Sequence, residues 1–230
     1  MRFQVILLCK GGIDMETMWK RWAELSVRPT AITGAGISVP SGLPTAGKRW
    51  RNWTLKEMFT LEMYRSDPLT FYDCYRDMLL QWREAKPNPA HVALAEANVR
   101  IITQNLDGLH LKADSAEVLE IHGNLRELIC EICFALYPSH VAEHNRMPKC
   151  PTCAKPLKPN IVLSGEDVRH IAEAADWVGQ ADLLLIVGTK LEMEPICSLP
   201  RIAKSNGVPI IHCNKKAEVL LPEVCRLLKT

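Results

Sequence analysis

Short apolar runs that stop abruptly in polar side chains recur along this chain. Thr30–Thr33 leads into Gly34-Ala35-Gly36-Ile37-Ser38 and then Ser41-Gly42. Ile101 and Ile102 lead into Thr103, Gln104, Asn105 and Asp107, and Val118–Ile121 delivers His122 followed by Gly123. Leu183–Val187 is unbroken and ends at Gly188-Thr189, and Val208–His212 ends just before Asn214. Runs of this kind are expected of parallel strands covered on both faces. Lys158–Leu163, stopping at Ser164-Gly165-Glu166, reads as a further strand of the same sheet. Between these runs, apolar residues recur at helical spacing over Glu16–Ser26, Thr54–Arg65, Pro68–Glu84, His91–Asn98, Val168–Trp177 and Pro195–Ser205. Strand and helix alternating in this way predict an α/β fold with a Rossmann-type, doubly wound parallel sheet, whose ligands sit at the carboxyl ends of the strands.

The apolar run Phe3–Cys9 after Arg2 faintly resembles a secretion signal but lacks a small-residue cleavage site. It reads instead as a surface strand or loose extension, and Met15 is an equally sensible start. The 230 residues, 47% hydrophobic, suffice for one large domain or a domain with a small insert. A net charge of +2 argues against nucleic acid as a direct partner. No run approaches the ~18 apolar residues of a membrane span, so no membrane partner is expected. Of nine cysteines, Cys9, Cys74, Cys197, Cys213 and Cys225 are scattered singly, which fits a reducing, cytoplasmic compartment better than a disulfide scaffold. Nothing in the pattern speaks to oligomeric state.

The remaining four cysteines form Cys130-x-x-Cys133 and Cys150-x-x-Cys153, separated by residues 134–149. Four thiolates so paired meet the tetrahedral demand of a structural Zn²⁺ and leave no position for a reactive water. The alternative, a redox C-x-x-C, is disfavoured by the doubling. His140 and His144, inside the insert, read as solvated loop residues. At the other end, a strand feeding a glycine-rich turn is the arrangement in which backbone N–H groups cradle a pyrophosphate. The turn is shorter than the full dinucleotide fingerprint, with Val39 at the third glycine position. Lys48–Trp53, KRWRNW, is a dense cationic-aromatic patch, and His91 reads as a packed or capping histidine.

Taken together these motifs resemble the sirtuins, the NAD-dependent protein deacylases, from about Thr30 to Asn214. The matching segments are Gly34–Ser38 with Ser41–Pro44, Thr103–His110, His122-Gly123, the four cysteines, Lys158–Val162 with Gly165-Glu166, and Gly188-Thr189. The resemblance implies NAD and Zn as cofactors and an acyl-lysine protein or peptide as substrate. It implies a large NAD-binding domain of approximately 15–125 and 160–230, a small zinc-binding insert of approximately 126–158, and a helical cofactor-loop module of approximately 45–85. Gly34, Ala35, Gly36 and Ser38 would contact pyrophosphate and ribose, with Gly188 and Thr189 opposite and Asn214 on the adenine ribose. Gln104 would bind the nicotinamide ribose beside His122. Asn105, Leu106 and Asp107 would line the nicotinamide pocket, Asp107 gripping the carboxamide. His122, with Asn105 and Asp107, forms the implied catalytic set, His122 being the general base, a task that suits an imidazole. The implied products are free lysine, nicotinamide and O-acyl-ADP-ribose.

The chain departs from the family pattern at three places. Pro44-Thr45 runs directly into Ala46-Gly47, so the usual Phe-Arg pair of the cofactor loop is absent. Ser164 stands where an aromatic usually precedes Gly-Glu at the mouth of the acyl-lysine channel, and Lys190 replaces the serine after Gly-Thr. Two outcomes are open for KRWRNW: Trp50 or Trp53 replaces the missing phenylalanine as the cover of the reactive ribose, or both pack elsewhere. The Tyr-x-x-Arg pair of sirtuins that prefer acidic acyl groups is out of register, since Tyr72 is followed by Tyr75 and Arg76. An ADP-ribosyltransferase or NAD glycohydrolase on the same fold, or an NAD-sensing module without turnover, are the alternative functions.

Overall fold

The structure, a computed structural model, describes residues 15–228, so the Phe3–Cys9 run lies outside the described residues. Helix α1 (Met15–Leu25) leads into strand β1 (Pro29–Thr33) and a 3-10 turn over Ala35–Ser41. A small hairpin, β2 (Arg49–Trp50) and β3 (Trp53–Thr54), opens a run of helices α2 (Leu55–Met58), α3 (Leu61–Ser66), α4 (Pro68–Glu84) and α5 (Pro89–Glu96). Next come β4 (Arg100–Thr103), α6 (Leu109–Lys112), β5 (Val118–Glu120), β6 (Gly123–Ile129), β7 (Leu136–Pro138) and β8 (Lys158–Ile161). The chain ends with α7 (Ile171–Gln180), β9 (Leu183–Val187), α8 (Leu199–Ser205), β10 (Ile210–Cys213) and α9 (Ala217–Leu227).

Five strands pair in parallel in the order β10-β9-β1-β4-β5. Every residue of β1 and β9 is buried, as the unbroken apolar run over Leu183–Val187 requires of a central strand. Side chains alternate between the faces. Leu183, Leu185 and Val187 join Trp19, Leu94, Leu221 and Val224 under α1, α5 and α9. Leu184 and Ile186 join Ile32, Ile102, Val178 and Ala203 under α7 and α8. Helix α9 has no counterpart in the sequence reading because Pro222 lies inside it, a residue that ordinarily argues against a helix interior. Among the described residues no helix is long and apolar enough to cross a membrane.

Two further sequence expectations are corrected. Lys158–Ile161 does not enter the parallel sheet. It pairs antiparallel with β6 in a separate sheet of order β7-β6-β8, Ile129 opposite Lys158 and Gly123 opposite Ile161. The cysteine-bearing segment returns the chain to the strand it left, and such a return yields an antiparallel partner. Thr54–Arg65 is two helices, not one. Thr54 and Glu57 form a reciprocal capping box at α2. Phe59 then leaves the helical region (φ −90°, ψ 52°) and Thr60 caps α3 by accepting from the Met63 N–H.

The KRWRNW patch is a hairpin in which Trp50 faces Trp53 across Arg51-Asn52. Trp50 is 8% exposed and packs with Leu55, Met58, Cys74 and Met78. Its indole N–H donates to Asp77 Oδ2 at 2.8 Å, and the Arg51 guanidinium stacks 4.2 Å from its ring centroid. A buried indole needs such a partner, and meeting that need commits Trp50 to the helical module. Of the two tryptophans of the patch, Trp50 is packed away and Trp53 is 43% exposed.

Candidate active site and metal centre

Two backbone turns meet at the carboxyl ends of β1 and β9. Gly34 N–H donates to Val187 O at 3.0 Å and Gly36 N–H to Gly188 O at 2.8 Å. A Cβ on Gly36 would lie 2.7 Å from Gly188 Cα, and one on Gly188, where φ is +62°, would lie 2.2 Å from Ile37 N. Both positions therefore demand glycine. Ala35, half-buried, opens the 3-10 turn that follows. The result is a side-chain-free concavity at a strand end, which fits a pyrophosphate.

The polar residues expected at the site gather around this turn. Gln104 Nε2 donates to Thr189 Oγ1 at 3.0 Å and to Thr33 O at 3.3 Å. Thr189 N–H donates to Asn214 Oδ1 at 3.1 Å, so one set of contacts links the ends of four strands. Ser38 Oγ donates to Asp107 Oδ2 at 2.7 Å and accepts from Asn105 Nδ2 at 3.1 Å. Asp107 Oδ1 accepts the Leu109 N–H at 2.9 Å. Burial pushes the Asp107 carboxyl up, and the Leu109 N–H and Ser38 hydroxyl only partly oppose it. Leu106 turns to the other side and packs against the cysteine-bearing module, its carbonyl accepting from Leu125 N–H at 3.2 Å.

His122 follows β5. Its Nδ1 lies 3.0 Å from Gln104 O. A carbonyl can only accept, so Nδ1 carries the proton and Nε2 keeps its lone pair. Burial pushes the imidazole below its ordinary range, and the Gln104 carbonyl opposes this. At neutral pH His122 is an uncharged, oriented base. Its own carbonyl accepts from Val162 N–H at 2.7 Å, which ties it to the segment carrying Ser164.

Beneath the site lies a network the sequence reading did not assign. His91 and His110 are buried with ring centroids 4.9 Å apart. His110 Nε2 is 3.0 Å from Thr33 Oγ1, which itself donates to Thr103 Oγ1 at 2.9 Å. The Asn105 N–H rests on Thr103 Oγ1 at 3.0 Å. Asn88 Nδ2 holds Ile37 O at 2.8 Å and Ser41 Oγ at 2.9 Å. His91 is, as expected, part of a helix cap. His110 was visible in the sequence only as the last letter of the Thr103–His110 segment.

Ser164 donates its N–H to Phe59 O at 3.0 Å and accepts from Leu61 N–H at 3.1 Å. A cleft of about 700 Å³ opens beside it, lined by Thr60, Leu61, Arg65, Ser164 and Gly165. Glu166 Oε2 accepts from both Lys158 Nζ and Leu163 N–H, each at 2.8 Å, fixing the Leu163–Glu166 turn. Arg76 points elsewhere: Nη1 donates to the carbonyls of Ala142, Asn145 and Arg146 at 3.4, 3.2 and 3.3 Å, and Nη2 meets the Asp73 carboxylate.

Cys130, Cys133, Cys150 and Cys153 place all four Sγ atoms within 4.8 Å of one another. Cys133 Sγ and Cys150 Sγ are 3.7 Å apart, and tetrahedral Zn–S bonds of ~2.3 Å require about 3.8 Å. Each pair sits on the same kind of loop. Phe134 N–H donates to Cys130 O and Ala154 N–H to Cys150 O, both at 2.8 Å, with φ +58° and +55° at Phe134 and Ala154. The Tyr137 hydroxyl holds the Cys150 thiol below its ordinary range, whereas the contact between Cys153 and Cys133 pushes the Cys153 thiol up. The donor set fits a structural zinc and would hold it through all four sulfurs.

The model of the Sir2 family matches residues 34–195. An NAD-dependent protein deacylase of Thermus thermophilus is 38% identical over 94% of this chain and 90% of its own length. The NAD-dependent protein deacetylase of Sulfolobus acidocaldarius is 36% identical over 89% of this chain and 93% of its own. A crystal structure of a Sir2 homologue with NAD superposes with a TM-score of 0.86 at 30% identity, covering 95% of each chain. Sir2Tm bound to a propionylated peptide gives 0.82 at 28% identity, covering 93% of this chain and 98% of that one. The chain belongs to the Sir2 family.

Two outcomes are expected. Cys130→Ser or Cys153→Ser will lose bound zinc, measured by elemental analysis, and lower the melting temperature, because metal-binding free energy is part of folding free energy here; a soluble variant with unchanged zinc and stability would contradict the assignment. The second concerns acid stability. Burial lowers His91 to about 4 from 6.5. Between those values the unfolded chain holds a proton that folded His91 excludes. Stability is therefore fully present above 6.5 and declines as pH falls toward 4, by about 2 kcal/mol from this residue between pH 7 and 5. Denaturant titrations at both pH values should show that His91→Gln, with zinc held equal, loses correspondingly less stability on acidification than the parent.

Proposed function

We propose that this chain is an NAD-dependent protein lysine deacylase acting on acyl-lysine in proteins or peptides. The observation that carries this reading is the His122 imidazole, its Nδ1–H on Gln104 O and its Nε2 without a hydrogen-bond partner among the described residues, at the strand end adjoining the Asn105–Ser38–Asp107 cluster. NAD supplies the electrophilic ribose carbon and the nicotinamide leaving group. The chain does the rest. Gly34 and Gly36 leave room for the pyrophosphate, Gln104 and Thr189 orient the ribose, and Asn105 and Asp107 hold the nicotinamide amide. Nε2 of His122 would take the proton from a ribose hydroxyl, preparing that oxygen to bond to the acyl carbon, and would return it to the lysine nitrogen as the bond from that nitrogen to the acyl carbon breaks. The division of the chain proposed with this reading is a large cofactor-binding unit of approximately 15–125 and 160–230, a zinc insert of approximately 126–158 and a helical module of approximately 45–85.

A second reading, NAD hydrolysis or ADP-ribosyl transfer at the same centre, is favoured by one observation: Trp50 is buried in the helical module, which leaves only Trp53 of the patch to stand in for the family's absent phenylalanine. On the acyl side, Ser164 and the cleft beside it favour a wide channel, and the commitment of Arg76 to backbone carbonyls argues against acidic acyl groups.

The test is peptide deacylation by the parent and by His122→Ala. The variant should retain NAD binding while deacylation falls by ~10²–10⁴-fold; activity within a few-fold of the parent would remove His122 as the base. In a series of acylated peptides, butyryl and octanoyl should be removed at least as well as acetyl, each buried CH₂ contributing about 0.8 kcal/mol, and succinyl should be removed poorly. A steady fall from acetyl to octanoyl would contradict the wide channel.

A further inference from the structure

Lys158 is the one Lys, Arg, Asp or Glu that is buried among the described residues, at 3% exposure. A lysine stays so deep only where its ammonium is paired. Two partners meet it here: Nζ donates to Ile161 O and to Glu166 Oε2, each at 2.8 Å. Neither partner lies on β6, the strand with which β8 is paired. These bonds therefore serve something other than the pairing of that sheet.

Ile161 O belongs to the same planar peptide group as the Val162 N–H. That N–H donates to His122 O at 2.7 Å. One rigid group is thus bonded at both ends, to Lys158 on one side and to the backbone of His122 on the other. An ammonium on its carbonyl also polarises the group and strengthens the N–H as a donor. The approach of the two segments is close: Gly123 has φ +75°, and a Cβ there would lie 2.1 Å from Asn160 O. The place of His122 follows the place of residues 160–162. Through Glu166 the same ammonium reaches the turn that bears Ser164, since Glu166 Oε2 also accepts the Leu163 N–H at 2.8 Å. One side chain joins the base to the turn beside the cleft.

Resting on the deacylase reading above, we propose that Lys158 is a positioning residue for acyl transfer: its ammonium holds the Ile161–Val162 peptide group and Glu166 together and so keeps His122 in register with the Ser164 turn. Both of its partners are protein groups, and it acts through His122, not on the reacting atoms. A reacting group misplaced by ~1 Å costs up to ~10²-fold in rate. In that reading His122 acts only after nicotinamide has left, so the loss and return of nicotinamide should be indifferent to Lys158.

The experiment compares the zinc-loaded parent with Lys158→Met and with Lys158→Met/Glu166→Gln, the second of which leaves no unpaired carboxylate behind. Zinc content and melting temperature establish that each is folded. Amide hydrogen exchange, followed by NMR without NAD, should show the Val162 N–H protected in the parent and exchanging about tenfold or more faster in at least one folded variant, with the β9 amides unchanged. In the same variant, deacylation of an acetyl-lysine peptide should fall by ~10–10²-fold. NAD binding and the peptide-dependent incorporation of labelled nicotinamide into NAD should stay within about threefold of the parent. Val162 protection equal to that of the parent in both variants, or deacylation and nicotinamide incorporation falling together, would overturn the proposal. Failure of both variants to fold would overturn it too, by making Lys158 a residue of the fold alone. A parent that deacylates while the variants match it sinks this proposal only; a parent that does not deacylate sinks the deacylase reading and takes the positioning role with it.

Discussion

The contact of Gly36 with Gly188 is the constraint on which the rest of the site depends. With the Gly36 N–H 2.8 Å from Gly188 O, the turns after β1 and β9 are pressed backbone to backbone. No larger residue fits at either position. The contact holds Ser38 within reach of Asp107 and Asn105, and brings Thr189 to Gln104. Adding a single methyl group to either glycine would separate the two turns and move every one of these polar groups. The buried His91, His110, Thr33 and Asn88 support the same turn from below, so its shape is fixed before any ligand arrives.

The second organising link runs from His122 to the module that carries the cysteines. The His122 carbonyl receives Val162 N–H, Lys158 and Glu166 fix the turn just beyond, and β6 and β8 pair from Gly123 onward. Arg76 and Tyr75 tie α4 to that module through the carbonyls of Ala142, Asn145, Arg146 and Leu125. Four sulfurs within 4.8 Å of one another therefore do more than stabilise a small ribbon: they anchor one wall of the cleft in which Ser164 sits.

The parallel sheet was legible because its strands are short apolar runs ending in Gly, Asn, Gln and His, and burial on both faces leaves little else such runs can be. The paired cysteines were legible because metal geometry constrains spacing directly. What remained hidden depended on tertiary context. Lys158–Ile161 leads into the apolar Ile161-Val162-Leu163 as a strand of the parallel sheet would, and only the path of the cysteine segment assigns it to β6. Helix α9 tolerates Pro222, against local propensity. Whether Trp50 would reach the cofactor or pack into the domain was open, because a cationic-aromatic run fits both. Asp77, a helix away in sequence, holds it inside. His110 was visible only as one letter of a motif, since its partner His91 lies on another element.

The central claim is that His122 and the cluster beside it couple the loss of nicotinamide to the removal of an acyl group from lysine. Product stoichiometry tests it most directly. Incubation of the zinc-loaded chain with NAD and an acetyl-lysine peptide, read by mass spectrometry, should give nicotinamide, deacetylated peptide and O-acetyl-ADP-ribose in equal amounts. Nicotinamide and free ADP-ribose formed at the same rate with or without peptide, and no deacetylated lysine, would contradict the account.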